Sequence, residues 1–529
     1  MTMIESIKNK KLRTMDKKEI KRSIKRQGSA LAYVLVILTV VMIILTSMLG
    51  YVSSQLKFSF NRVEKEKAFQ IAEAGAYYYR WYLAHETSGK TAQQVNDFWE
   101  SGNALGDISP YEADYEGLGK YSIEVDVPTP GSTIAVVRST GWSYKDPDLK
   151  RTVQVRFRRP SWSEYIFLSN SFMNFGSEAV TYGKVHSNGG IRFDGVAYNT
   201  VSSLLPSFDD DTYGGNRMEF GVHTTVNQAD PAAPAYPWPD GTVPEHSDVF
   251  KGGREFPVPE VNFAGVISDL AYMKSQAESG NGKYFDGTGV GRKITIKTNG
   301  TYDVCKVNTE GNNNTHAISS FRGVVSGASG IYSGTNGDSC NTPHCCTSAI
   351  CPYIQPSKPN RGKCVTMENY PIVDGGVVFV ENNIWVEGTV NNNRLTIVAA
   401  NLSTGGEQKD IYIGISNNDL LYTAYNCNNM LGLIAQQDIR VLGSCPEDFT
   451  VDAALMAQGG LVGINDNGFS GKDRLTFNGA IVSYLQPYFH HGNSGFAVRF
   501  YNFDNNLLYC PPPYFPTGNE YSIDLWEEL

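Results

Sequence analysis

Between Arg26 and Lys57 there is no charged side chain, and within that window Ala30 to Val52 is almost wholly apolar. A helix of that length reaches across the roughly 30 Å hydrocarbon core of a bilayer. Such a span constrains everything else, because each folded part must lie on one side of it or the other. Before it, residues 1–28 carry ten basic side chains (Lys8, Lys10, Lys11, Arg13, Lys17, Lys18, Lys21, Arg22, Lys25, Arg26) and three acidic ones (Glu5, Asp16, Glu19), a net of +7. After it, Lys57, Arg62, Lys65 and Lys67 are diluted by Glu64 and Glu66. The bias places the N-terminus in the cytoplasm and the C-terminal body outside it. A cleaved secretory signal has an apolar run of about 7–15 residues with its small-residue step on the far side. Here the run is longer and the small step, Gly28-Ser29, precedes it.

With −9 for the whole chain, residues 29–529 carry −16. An acidic body is a poor generic partner for nucleic acid, which needs clustered Lys and Arg to neutralise phosphates. At 529 residues with 52 Gly and 30 Tyr, the chain calls for two or three folded units or a solenoid that grows by stacking. All nine cysteines, Cys305, Cys340, Cys345, Cys346, Cys351, Cys364, Cys427, Cys445 and Cys510, fall in the exported part. That distribution suits disulfides in an oxidising compartment, with one thiol left over or paired between chains.

Beyond the span the helix continues, with Ala68, Ile71, Ala72, Gly75, Tyr79 and Tyr82 on one stripe at three- and four-residue steps. Gly75 on that stripe permits close approach, either of neighbouring subunits or of the protein's own first sheet. The segments "GKYSIEVDV", "STIAVVRSTGW" and "RTVQVRFRR" alternate apolar and polar residues and predict a three-stranded antiparallel meander. Past Pro160 the texture changes to short β segments with Gly and Asn at the corners, such as "GGVVFVENNIWVEGTV" and "MLGLIAQQDIRVLG". These are what the rungs of a parallel β-helix need. No fixed repeat length is present, so a two-sheet β-sandwich stands as the alternative. "VNFAGVISDLAYMKSQAES" predicts a short helix on the flank, and Pro511, Pro512 and Pro513 cannot continue a ladder and are expected to cap the stack.

The order of the N-terminal features carries a resemblance. "RQGSALAYVLVILTV" followed by "AFQIAEAGAYYY" resembles the N-terminus of type IV pilins, in particular the PilX-like minor pilins. The resemblance implies cleavage after Gly28 by a prepilin peptidase, methylation of the new N-terminus at Ser29, and helix packing through Ala68, Ile71, Ala72, Glu73 and Gly75. Major pilins carry Glu at the fifth mature position, where it pairs with a neighbour's terminal amine. Tyr33 stands there and cannot make that pair, which implies a minor subunit at the tip or at initiation. The expected fold is α+β. It comprises a basic leader (1–28), a transmembrane and amphipathic helix (29–90), a small antiparallel sheet (91–160) and a β-solenoid (161–529) with a Cys-rich loop (340–364) and a Pro-rich C-terminal cap. The expected partners are other pilin or pseudopilin subunits, the membrane, the prepilin peptidase, and a surface glycan or protein ligand. The body then lies outside the cytoplasm, at the cell surface or on a pilus.

Chemistry in the body has bland explanations. "CNTPHCCTSAIC" with Cys364 places five cysteines and His344 together, but the spacing lacks the paired C-x2-4-C knuckles of zinc sites, and disulfides are expected. Cys427 with Cys445 is expected as a further pair. Asp209, Asp210 and Asp211, with Asn216, offer oxygen ligands for calcium without the EF-hand spacing, so a solvated acidic turn is expected and no cofactor is assigned. Adjacent His490 and His491 point to opposite faces of a strand. Asp466 with Asp473 and Glu381 with Glu387 are the carboxylates to weigh for glycan cleavage, but nothing fixes their separation. A structural subunit is expected rather than an enzyme; a permanently anchored surface protein and a polysaccharide-active enzyme are the alternatives.

Overall fold

The computed structural model describes residues 4–87, 89–90, 92–101, 111–128, 134–213, 215–263, 267–309, 320–322, 361–465, 469–518 and 521–529. One helix, α1 (Ile4–Thr87), runs through the span and on into the body. From Ala30 to Phe60 every side chain is exposed, and burial begins at Glu64. From there Ala68, Ile71, Ala72, Ala76, Tyr79 and Leu83 form a buried stripe against a sheet of the same chain. A fully buried aliphatic side chain contributes about 1.5–3 kcal/mol, so the two or three large ones here hold the helix firmly. A second helix, α2 (Ala92–Ser101), adds Phe98 and Trp99 to the same core.

The sheet has five strands, not the expected three. Strands β1 (Tyr111–Tyr115), β2 (Gly119–Asp126), β3 (Ile134–Ser143) and β4 (Asp146–Arg158) form an antiparallel meander. The fifth strand, Ser522–Glu528, pairs antiparallel with β4. The β-rich region therefore does not extend to residue 529 as expected: its last strand returns to the small sheet, and the region between is an insertion between two neighbouring strands. The reason lies in charge and pattern. Strand β4 presents Arg151, Arg156 and Arg158, and the returning strand answers with Glu528 and Asp524. Arg156 Nε donates to Asp524 Oδ1 at 2.8 Å, and Trp526 meets Phe69 of α1 edge-on at 5.7 Å.

The insertion is built of strands stacked in parallel register. In one ladder Val380, Ala399, Ala435, Ala457, Ser483, Ser169, Ser187 and Ser203 are successive partners. A second ladder joins Gly291–Lys297, Ile384–Val390, Ile411–Ile413, Ile439–Val441 and Val462–Ile464. A third runs from Leu420–Tyr422 through the first halves of Asp448–Ala457 and Gly471–Ser483 to Ser494–Phe503 and Ala179–Thr181. Inward Val, Ile, Leu and Phe fill one continuous core between the ladders. This is coil-on-coil stacking rather than the face-to-face packing of a sandwich, and no closed barrel occurs among the described residues.

The coils do not follow chain order. Strand Tyr165–Ser169 stacks on Ile481–Ser483, so the earliest coils sit beyond the latest ones. The chain then turns to the opposite end of the stack near helix α3 (Ile267–Ser279), which packs on Gly282–Phe285 and Gly376–Val380. Corners are held by side chains that replace missing ladder bonds. Asn383 Oδ1 accepts from Asp410 N at 2.9 Å, Asp410 Oδ1 from Asp438 N at 3.0 Å, and Asp438 Oδ1 from Leu461 N at 2.8 Å. At another corner the buried hydroxyls of Ser483, Ser187 and Ser203 donate to backbone carbonyls at 2.6–2.8 Å.

The Pro-rich segment does not cap an end of the stack as expected. It lies along the outer face of the first ladder, where Thr396 Oγ1 donates to Pro513 O and Phe515 joins a second core with Leu270, Met273, Val377, Val398 and Ile434. That face is apolar and needs cover, and prolines provide it without offering unpaired N–H groups.

The helix-to-sheet contact is close enough to test. A Cβ on Gly75 falls 2.3 Å from Ser139 Oγ and 2.8 Å from the Tyr121 ring. We expect Gly75→Val to lower unfolding stability by about 1–3 kcal/mol in detergent-solubilised full-length protein. Gly50→Val, which meets nothing within 4 Å, leaves it unchanged.

Candidate functional site

The feature that sets this molecule apart is an apolar helix with nothing of its own chain on it. Leu31, Val34, Leu35, Ile37, Met42, Ile43 and Leu49 are all more than half exposed. Exposed apolar side chains in that number require another apolar environment. The two threonine hydroxyls in the stretch are satisfied within the helix: Thr39 Oγ1 donates to Val36 O at 2.8 Å and Thr46 Oγ1 to Met42 O at 2.8 Å. Neither costs anything to place in hydrocarbon. Among the described residues this is the one helix long and apolar enough to cross a membrane.

Gly28 and Ser29 lie within α1 at the edge of this stretch. Tyr33 is 70% exposed, one turn into it. Below the span the helix changes character at Glu64, which is buried and joins two elements: Ser143 Oγ at the end of β3 donates to its Oε2, and Lys67 Nζ to its Oε1 at 2.8 Å. Sequence reasoning missed Glu64, since a Glu among "EKEK" reads as solvated surface. Four of the expected packing residues, Ala68, Ile71, Ala72 and Gly75, are buried against the chain's own sheet, and Glu73 is half-buried at the margin. Their close contact is intramolecular: a Cβ on Gly141 of β3 falls 2.4 Å from both Ala68 O and Ala72 N.

Among the described residues two cysteine pairs are formed, Cys305–Cys364 and Cys427–Cys510. The expected Cys427–Cys445 pair is not. Cys445 points into the core between the ladders, whereas Cys427 and Cys510 lie outside it, on a corner turn and on the segment that covers the first ladder. Burial pushes the Cys445 thiol up to about 12. Cys340, Cys345, Cys346, Cys351 and His344 lie outside the described residues.

The other candidates are dispersed. Asp210 is buried and accepts from Thr212 N at 2.9 Å and from His223 Nε2 at 3.0 Å, while Asp209 and Asp211 face solvent, so the three carboxylates do not converge. Burial pushes His223 below the ordinary histidine range. His490 and His491 are exposed on a two-residue strand. Glu381 is held by Lys274 at 2.6 Å and by Tyr284, and Glu387 by Lys293 at 2.6 Å, so each is already an ion-pair partner. Asp473 is exposed and Asp466 lies outside the described residues. Asp452, unforeseen, is buried beneath Tyr425 and Asn478, and burial holds its carboxyl above the usual range.

The PilX N-terminal family matches residues 27–76, which take in Gly28, Ser29, the whole span and the first turns on the sheet. No curated protein matches the chain. Among solved structures, the competence-associated pilin ComZ from Thermus thermophilus aligns at 12% identity over 88% of this chain and 97% of its own, with a TM-score of 0.29.

The burial of Cys445 gives a direct check. In the native protein it stays unmodified by a thiol-reactive maleimide at pH 8, and it reacts after denaturation. Replacing both Cys427 and Cys510 by Ser is expected to cost roughly 2–4 kcal/mol of unfolding free energy.

Proposed function

We propose that this chain, whose N-terminal segment is of the PilX type, is a minor type IV pilin-like subunit that carries a large β-solenoid outside the cell without catalysing a reaction. The observation that carries this is one helix with two environments, apolar and uncovered over Ala30–Phe60 and packed on its own sheet from Glu64 onward. The uncovered half sits in the bilayer with the basic residues 8–26 on the cytoplasmic side. A prepilin peptidase cuts after Gly28, and Ser29 becomes the methylated N-terminus.

In a filament the same half exchanges lipid for the apolar faces of neighbouring pilin helices. Little hydrophobic driving force separates these two environments, so helix packing decides between them. Tyr33 supports a place at the tip or at initiation. A neutral side chain there offers no carboxylate for a neighbour's terminal amine, so it gives no ionic register to a repeating shaft. The inserted stack leaves and re-enters the pilin-like sheet at adjacent positions, since Arg158 and Ser522 are partners across β4 and the last strand. It therefore projects from one place on the subunit, where it serves adhesion, assembly or secretion.

N-terminal sequencing and mass determination of the native protein test this. We expect a chain beginning at Ser29, heavier by one methyl group, and an uncut leader in Gly28→Ala. A native chain that begins at Met1 and is indifferent to the substitution sinks the processing step and leaves a permanently anchored surface protein.

A further inference from the structure

We propose that Lys293 and Asn418 become joined by an intramolecular amide bond, with Glu387 moving the protons between them. Glu387 is the carboxylate on which both meet. Lys293 Nζ lies 2.6 Å from its Oε1, and Asn418 Nδ2 donates to its Oε2 at 3.1 Å. The acid and the amine are both taken out of water, with side-chain exposures of 7% and 5%. Thr295 Oγ1 donates to Oε1 at 3.0 Å and fixes the carboxylate plane.

The fold places the three residues from separate coils. Lys293 and Thr295 lie on Gly291–Lys297, and Glu387 is the register partner of Thr295 on Ile384–Val390. Asn418 sits in the exposed turn between Ile411–Ile413 and Leu420–Tyr422. Beside the amine the surroundings are apolar: its register partner Trp385 is fully buried and stacks on Tyr412 at 5.5 Å. The carboxylate at 2.6 Å gives the amine a proton acceptor within hydrogen-bond reach, which is the arrangement an attacking amine needs. The turn that presents Asn418 is also unusual, because Ser416 and Asn417 both adopt positive φ, 55° and 57°. Left-handed residues other than glycine persist where the surroundings impose them, and they cluster at functional sites.

The step balances without an oxidant or a reductant. Glu387 Oε1 takes a proton from the Lys293 ammonium, and the freed Nζ attacks Asn418 Cγ. The Nζ–Cγ bond forms and the Cγ–Nδ2 bond breaks as Glu387 Oε2 hands its proton to Nδ2. Of the three protons on the Lys293 ammonium one remains on the new amide, and two leave with Nδ2 as an ammonium ion. Glu387 ends as it began. The product ties the first coil of the second ladder to a turn two strands further along it. It adds a covalent clamp at the end of the stack where Cys305 and Cys364 already join the two strands packed beside it.

Tryptic peptide mapping of the reduced native protein tests the proposal and is independent of how the N-terminus is processed. We expect a branched peptide that joins the Lys293 and Asn418 segments, lighter by about 17 Da than the two together because ammonia is lost, with no cleavage after Lys293. Asn418→Ala, at an exposed turn position, restores cleavage after Lys293, and Glu387→Gln leaves both segments separate. If Glu387→Gln does not fold, the native map and Asn418→Ala decide. Two linear peptides of full mass from the native protein overturn the bond. So does a deficit confined to a linear Asn418 peptide, which marks a succinimide instead.

Discussion

Strand pairing between β4 and Ser522–Glu528 is the contact on which the two parts of this protein depend. It joins residues more than 360 positions apart, as in the Arg156–Asp524 hydrogen bond. Each cross-strand ion pair contributes only roughly 0.2–1 kcal/mol, so charge selects the partner more than it holds it. Holding comes from burial. Tyr521 enters the core of the small sheet and accepts from Trp99 Nε1 at 2.8 Å, while Trp526 lies against Phe69 of the long helix. The strand and Tyr521 just before it thus touch α1, α2 and β4 together.

The long helix shows how one element can answer to two solvents. Over Ala30–Phe60 it is apolar and bare, and from Glu64 it is a striped helix whose small residues face a sheet. The change is sharp because Glu64 is anchored to Ser143, at the end of β3 nearest the span. Gly141 on β3 then lets its backbone approach the helix backbone at Ala68 and Ala72, and Gly75 on the helix leaves room for the side chains of Ser139 and Tyr121.

Much of this was legible in the sequence because the controlling signals are local. The uncharged window, the basic segment before it, and "AEAG" at helical spacing all lie in one stretch of chain, and the structure gives a continuous helix there. Alternation in β2, β3 and β4 gave the meander for the same reason. The fifth strand was not legible, since "SIDLWEE" alternates weakly and its partner lies hundreds of residues earlier. Nor was the order of coils: steps between equivalent positions, such as Ser169, Ser187 and Ser203, are unequal elsewhere in the ladder, so no period shows. Cys445 was mispaired because sequence proximity to Cys427 says nothing about which side of a strand each faces. The Glu387 cluster was half legible, as a carboxylate without its partners.

One consequence follows from where the last strand belongs. During synthesis the helix and the first four strands are made early, yet their sheet has an unfilled edge at β4 until the entire inserted stack and Ser522–Glu528 have followed. Closing so long a loop costs only slightly more than closing a moderate one, because the entropy grows with the logarithm of length. Its timing, however, is absolute. The sheet therefore reports whether the inserted stack has been made in full: a product that stops short of Ser522 keeps its apolar helix but exposes the β4 edge, a form open to proteolysis or mispairing.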